Sequence, residues 1–145
     1  MHWFDSQLQT LLQFAGAYEK CRIENSDEFI EETRQARSVF IDNVQKLVDS
    51  VVKLADISGC VAAHDGFILA KAGSVSEVDA LAAMIQESMD IAQRNKEILE
   101  LGSIQQIVII GDNNKIAMIS LGQITIGVLS SKHINLTKSL SKKPS

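Results

Sequence analysis

The distribution of apolar residues predicts helices in the first half of the chain and a three-stranded antiparallel meander near its end. Between residues 104 and 130, three runs rich in β-branched residues are separated by short polar stretches at 111–114 and 122–123. Tight turns between such runs are typical of antiparallel strands. The first run, 104–110, is apolar at every position from 107 to 110, whereas a strand with one wet face alternates strictly. We therefore expect this strand to be covered on both faces, either within the chain or in an assembly.

Two helical patterns precede the meander. Residues 2–19 carry an apolar stripe at helical spacing, formed by Trp3, Phe4, Leu8, Leu11, Leu12, Ala15 and Tyr18. The polar face lacks the Lys/Arg content of a membrane-surface helix, so we expect packing on the same domain or on another subunit. A second helix is predicted to start at 26–28, where a capping serine precedes two acids. It continues towards residue 55, either unbroken or divided near Arg37 and Ser38.

The middle of the chain predicts a hairpin followed by a long helix. Residues 59–73 contain two short β-compatible runs around Asp65-Gly66, a dipeptide that tolerates the positive φ angles of a hairpin turn. A helix over 77–101 is expected to start at Ser76, in a variant of the capping box with Asp79. Its apolar stripe is wider than one sheet face requires, because it also includes Ala83, Met84, Ile91 and Leu101.

The residues before and after the meander predict a helix end, a short helix and a tail. Gly102 fits the left-handed position that ends a helix. After the meander, Ser131 is expected to cap a short helix that reaches about residue 140. Residues 141–145 are predicted to be disordered.

Composition narrows the classes of function. The 145 residues carry a net charge of −4, although residues 132–145 contain four lysines and no acid. A strongly nucleic-acid-binding chain would be basic overall, so we expect no nucleic-acid partner. The lysines are interpreted as a solubilising tail rather than a lipid-binding one, and no membrane contact is expected. No apolar run spans a bilayer, no signal peptide is recognised, and Cys21 and Cys60 form no CxxC motif, so a reducing, cytoplasmic location is expected.

Catalytic and metal-binding patterns are not found. The phosphate-loop pattern GxxxxGK[ST] does not occur, so the chain is not itself a P-loop GTPase. His2, His64 and His133 lack zinc-ligand spacing. We interpret His64 as a turn residue rather than a catalytic partner of Cys60. Arginines at 34, 37 and 94 are expected to be solvated helix residues rather than arginine fingers. The sequence therefore predicts neither an enzyme nor a cofactor.

The order of these elements from residue 40 to 140 resembles the Roadblock/dynein light chain family. The similar segments are LADISGCVAA (54–63), HDGFILA (64–70), the alanine-rich helix at 80–92 and IQQIVIIG (104–111). The resemblance implies an α+β fold with a five-stranded antiparallel sheet, hairpin plus meander, between helices. It suggests a Roadblock-like domain over 39–140, preceded by a helical extension over 1–38 and followed by the tail.

The resemblance also implies a function. Family members are not enzymes and dimerise through the edge strand that opens the meander and the long helix behind it. On this chain the implied interface comprises Ile104, Gln106, Ile107, Val108, Ile109, Ile110, Met84, Ser88 and Ile91. The leading hypothesis is a dimeric module that binds and regulates a Ras-like small GTPase. A structural adaptor subunit of a larger complex and a small-ligand sensor are the alternatives.

Overall fold

The computed structural model describes residues 2–23 and 30–144, which form helices on both sides of one antiparallel sheet. The predicted α+β class is therefore confirmed. In chain order the elements are α1 (His2–Ile23), α2 (Ile30–Val51), β1 (Ile57–His64), β2 (Phe67–Gly73), α3 (Val78–Asn95), β3 (Gln106–Ile110), β4 (Asn114–Leu121), β5 (Ile124–Ser131) and α4 (Leu136–Ser139). No helix of the described residues is long and apolar enough to cross a bilayer.

The five strands are arranged in the order β2-β1-β5-β4-β3. Both the hairpin and the meander predicted from the sequence are present, and β5 joins them by pairing with β1. Asp65 (φ 49°) and Gly66 (φ 80°) form the hairpin turn with the positive φ angles expected of them. The last strand in the chain is therefore central in the sheet, whereas β3 lies at one edge.

Helices α1 and α2 cover one face of the sheet, and α3 covers part of the other. The side chains of α1, α2 and α4 bury the larger core, which includes Phe4, Leu8, Leu11, Phe40, Val44, Ile126 and Leu140. A smaller core between α3 and the opposite face contains Val61, Ile85, Met89 and Met118. Most of the apolar stripe predicted at residues 2–19 thus packs within the chain, through Phe4, Leu8 and Leu11, whereas Leu12 stays exposed.

The two ends of the chain are hydrogen-bonded to each other. The amides of Trp3 and Phe4 donate to the carbonyls of Ser141 (3.1 Å) and Leu140 (3.0 Å). The first amides of a helix have no partner within the helix, so the residues after α4 satisfy two donors of α1. Ser141 is the first residue of the tail that was predicted to be disordered.

Several helix boundaries differ from the prediction. Helix α3 ends at Asn95, not at residue 101, and the turns that follow leave Ile98, Leu99 and Leu101 between 60% and 79% exposed. Their apolar side chains continue the helical spacing in the sequence, but they stay exposed, so a longer helix would gain no buried apolar surface from them. The predicted start at Ser76 is also wrong: Glu77 occupies the N-cap in a left-handed conformation (φ 50°) and makes no side-chain cap hydrogen bond.

Helix α2 is continuous through Arg37 and Ser38, where a break was an alternative. The predicted start of this helix at 26–28 lies outside the described residues. The division into an extension over 1–38 and a domain over 39–140 remains a prediction. Phe4, Leu8 and Leu11 of that extension nevertheless contribute to the larger core.

Candidate self-association surface

The edge strand β3 is apolar on both faces. Its register with β4 pairs Val108 with Ala117 of the larger core, so Val108 points to the side of α1 and α2. Ile107 packs against the smaller core on the side of α3. Because side chains alternate along a strand, Ile110 shares a face with Val108, and Ile109 shares one with Ile107.

Neither face of β3 is fully covered. Val108, Ile109 and Ile110 are 43%, 45% and 64% exposed. We call these three residues, together with Ile91 of α3 at 46% exposure, the β3 surface. The side-chain amide of Gln93 donates to the Ile104 carbonyl (3.1 Å), which fixes the C-terminal half of α3 to the segment that leads into β3. The β3 surface is thus built on a hydrogen-bonded framework.

The backbone of β3 also presents hydrogen-bonding groups outwards. The Gly111 amide donates to the Asn114 carbonyl (2.9 Å) and the Ser120 amide to the Gln105 carbonyl (2.8 Å). In an antiparallel ladder such pairs alternate with pairs that exchange no hydrogen bonds, so Ile107 and Ile109 bond to β4. The amides of Gln106, Val108 and Ile110 therefore point away from the sheet.

The residues that the sequence assigned to an interface divide into two groups. Gln106, Val108, Ile109, Ile110 and Ile91 are exposed on the described surface. The others are half-buried: Met84 and Ile107 pack on the smaller core, Ser88 Oγ lies 3.7 Å from Met84 Sδ, and Ile104 precedes the strand. The interface itself remains a prediction.

Sequence reasoning did not assign Ile98 and Leu99 to a surface. They follow α3 and are 79% and 60% exposed. They continue the apolar pattern of α3, so no signal in the sequence separates them from the helix, which ends at Asn95 rather than at Gly102.

Cys60 and His64, the two residues considered as a catalytic pair, lie in different environments. Cys60 is completely buried in the larger core, and burial raises the pKa of its thiol, so the thiolate nucleophile is disfavoured. His64 ends β1, and its Nδ1 lies 2.9 Å from the carbonyl oxygen of Gln123. No group of three or more potential metal ligands occurs among the residues that the structure describes.

Comparisons with known proteins identify the fold. No family model and no curated protein matches the chain. Among solved structures, the chain is similar to a Roadblock/LC7 domain from Streptomyces avermitilis, with 16% identity, a TM-score of 0.56 and coverage of 63% of this chain and 78% of that one. It is also similar to Myxococcus xanthus MglB, with 14% identity, a TM-score of 0.62 and coverage of 70% and 84%.

A third similar structure is the gliding protein MglB from Thermus thermophilus, with 14% identity, a TM-score of 0.55 and coverage of 69% and 76%. The expected likeness to Roadblock proteins is therefore confirmed at the level of the fold. The described chain has a Roadblock-like fold, an α+β unit whose five-stranded antiparallel sheet lies between helices.

Proposed function

We propose that this protein is a non-catalytic dimeric module that binds and regulates a Ras-like small GTPase. The observation that carries the dimer is the β3 surface, an edge strand with exposed apolar side chains on both faces. Such an edge pairs readily with another chain and leads to aggregation unless something occupies it. A second copy of β3 would continue the two sheets into one.

The backbone of β3 supports pairing about a two-fold axis. An isologous interface brings the same patch of each subunit together. The amides of Gln106, Val108 and Ile110 point outwards, so antiparallel pairing centred on Val108 would place Gln106 opposite Ile110 of the second copy. Each copy would then supply hydrogen-bond partners for the other and cover the apolar side chains of the strand.

Substitution of the β3 surface tests the dimer. We expect Val108→Asp and Ile109→Asp to give folded monomers, because both side chains are exposed within one chain and would be buried, as charges, in the dimer. Light scattering coupled to size exclusion measures the mass. The matched control is Phe67→Asp, which changes an equally apolar residue that is 75% exposed on β2. A dimer that persists in the double variant Val108→Asp/Ile109→Asp would show that this strand is not the interface.

Amide hydrogen exchange tests the direction of pairing. In the dimer, the backbone amides of Val108 and Ile110 should exchange slowly. In the monomeric variant Ile109→Asp, both amides should exchange faster. The Ile107 amide bonds to β4 in either case, so it is an internal control with a much smaller change. Equal effects on Val108 and Ile107 would indicate general loosening of the strand rather than loss of a partner.

The GTPase role rests on the resemblance to the family and is supported by the likeness of the fold to the two MglB proteins. Ras-like GTPases from the same genome should be mixed with the purified dimer, and complex formation and GTP hydrolysis measured. We expect one of them to bind and to change its hydrolysis rate, and we expect the Ile109→Asp monomer to do so less well. If all of them fail to bind, the proposal is wrong.

A structural adaptor is the second candidate, and it is favoured by the exposed Ile98, Leu99 and Leu101 beyond α3. A related solved structure is described as MglB with a tetrameric arrangement (14% identity, TM-score 0.57, coverage of 68% and 76%), which motivates a test for self-association beyond a dimer. Deletion of residues 1–35 is not a usable test, because α1 belongs to the larger core. The variant Ile98→Asp/Leu99→Asp should instead disrupt an assembly larger than the dimer while β3 pairing persists; unchanged assembly would exclude this role for the segment.

A further inference from the structure

A concave groove opens between α1, α2 and the end of the sheet, away from the β3 surface. Its volume is about 520 Å³. The walls come from α1, α2, the facing ends of β1, β2 and β5, and the β4–β5 turn, and none of the described lining residues belongs to α3 or β3. Binding sites for small molecules have volumes of about 300–1,000 Å³ and are mostly apolar with a few polar groups.

The inner wall of the groove is apolar. It combines side chains from three parts of the fold: Leu12, Ala15, Phe40, Ile41, Leu69 and Ile124. Tyr18 lies against Phe40, with ring centroids 6.3 Å apart. Leu12 is 42% exposed, although Leu8, one turn before it on α1, is buried. A hydrocarbon or aromatic body placed here would remove this surface from water.

Gly16 keeps the groove open. It lies inside helix α1, where glycine is less favourable than alanine by reason of its backbone freedom. Its backbone is not in the left-handed region, and a Cβ added at this position would meet nothing within 4 Å. Packing within the chain therefore gives no reason for a glycine. The space above it is the groove, which a larger side chain would fill.

Polar groups are few and include one cation, Arg37. Among the described residues its guanidinium has no hydrogen-bond or ion-pair partner, whereas Arg34 on the same helix pairs with Glu31 (3.4 Å). Glu19 also lines the groove but already takes part in an interaction of its own. His64 is held by the Gln123 carbonyl, which only accepts hydrogen bonds, so Nδ1 is the donor.

We propose that this groove binds a small amphipathic carboxylic acid. The apolar body lies along α1 above Gly16 and against Phe40 and Ile124, and the carboxylate pairs with the guanidinium of Arg37. A guanidinium matches the two oxygens of a carboxylate in a bidentate arrangement. This site does not depend on the proposed dimer or on a GTPase, because no residue of the β3 surface lines it.

Decanoate and its uncharged analogue decanol are suitable probes of the full chain. Titration calorimetry measures affinity, and amide chemical shifts locate the site. We expect saturable binding of decanoate with shifts at α1, α2 and the β4–β5 turn, and weaker binding of decanol. Arg37→Gln should weaken decanoate binding about tenfold, since hydrogen bonds to charged groups contribute on this scale. Arg34→Gln, an equivalent change outside the groove, should leave the affinity unchanged.

Filling the groove gives an independent test. Gly16→Leu should abolish decanoate binding while raising the melting temperature, so loss of binding is not confused with loss of the fold. The inference is overturned if decanoate does not bind saturably, if Gly16→Leu binds it as well as the natural chain, or if Arg37→Gln is no weaker than Arg34→Gln. Binding that persists in the Ile109→Asp monomer would separate this site from the proposed dimer, whereas shifts centred on β3 would contradict the assignment.

Discussion

The two faces of the sheet differ in how completely the chain covers them. On one face α1, α2 and α4 bury a broad core that extends from Phe4 to Leu140. On the other, α3 makes its main contacts with β1 and β2 and leaves β3 with exposed residues. The first face is covered over most of its area and is exposed mainly at Val108 and Ile110 of the β3 edge, whereas the second face is covered only where α3 lies.

This difference indicates where a partner would cover the most apolar surface. The helix pair α1 and α2 buries most of the first face, but it leaves the groove around Gly16 open and, at the edge of the sheet, Val108 and Ile110 exposed. The single helix α3 cannot cover a five-stranded sheet, because a helix is about 10 Å wide and neighbouring strands lie about 4.8 Å apart. On the α3 side Ile109 therefore stays exposed, and Val108 and Ile110 are exposed on the other side of the same edge strand.

The largest expected effect is on the well-covered face. Phe4→Ala removes a completely buried ring from the larger core and should lower the free energy of unfolding by about 3–5 kcal/mol. Urea denaturation measures this change. Phe67→Ala is the matched control, since its ring is 75% exposed and the same substitution there should change stability by no more than about 0.5 kcal/mol. Similar values for both would mean that α1 is not part of the core.

An intermediate effect is expected where α3 does cover the sheet. A Cβ at Gly127 would lie 3.1 Å from both Ile85 Cδ1 and Val61 Cγ2. Gly127→Leu overpacks this contact and should lower stability by about 1–3 kcal/mol, measured by urea denaturation. Gly16→Leu is the control because its side chain enters open space. A neutral result at Gly127 would show that α3 moves away from the sheet easily, so that the α3 face is loosely packed throughout.

The smallest effect is a gain in stability on α1. Gly16→Ala should raise the free energy of unfolding by about 0.5–1 kcal/mol, because glycine is the less favourable residue inside a helix. Thermal and urea unfolding measure the gain. A loss would mean that the glycine serves the packing of α1, and the explanation of Gly16 by the groove would be wrong.

The hairpin and the meander could be predicted because local chemistry determines them. Asp65-Gly66 accepts the φ angles of the hairpin turn, and β-branched runs mark the strands. The end of α3 could not be predicted in this way. Ile98, Leu99 and Leu101 continue an apolar pattern, and only the arrangement of other elements determines that nothing covers them.

The groove was beyond the reach of sequence reasoning for a related reason. Its walls come from residues near 12–19, 37–41, 64–69 and 123–124, which are distant along the chain. Arg37 was expected to be an ordinary solvated arginine, and its exposure agrees with this. What distinguishes it from Arg34 is the lack of a partner among the described residues and its place on the groove.

The central position of β5 determines when the protein can fold during synthesis. The β1–β2 hairpin and the β3–β4 pair are joined only through β5, which is translated after both of them. The ribosome adds about 5–20 residues per second, so a growing chain carries two separate sheet fragments until β5 emerges. Because the Trp3 and Phe4 amides of α1 donate to the carbonyls of Ser141 and Leu140, α1 is completed only after these late residues have been made.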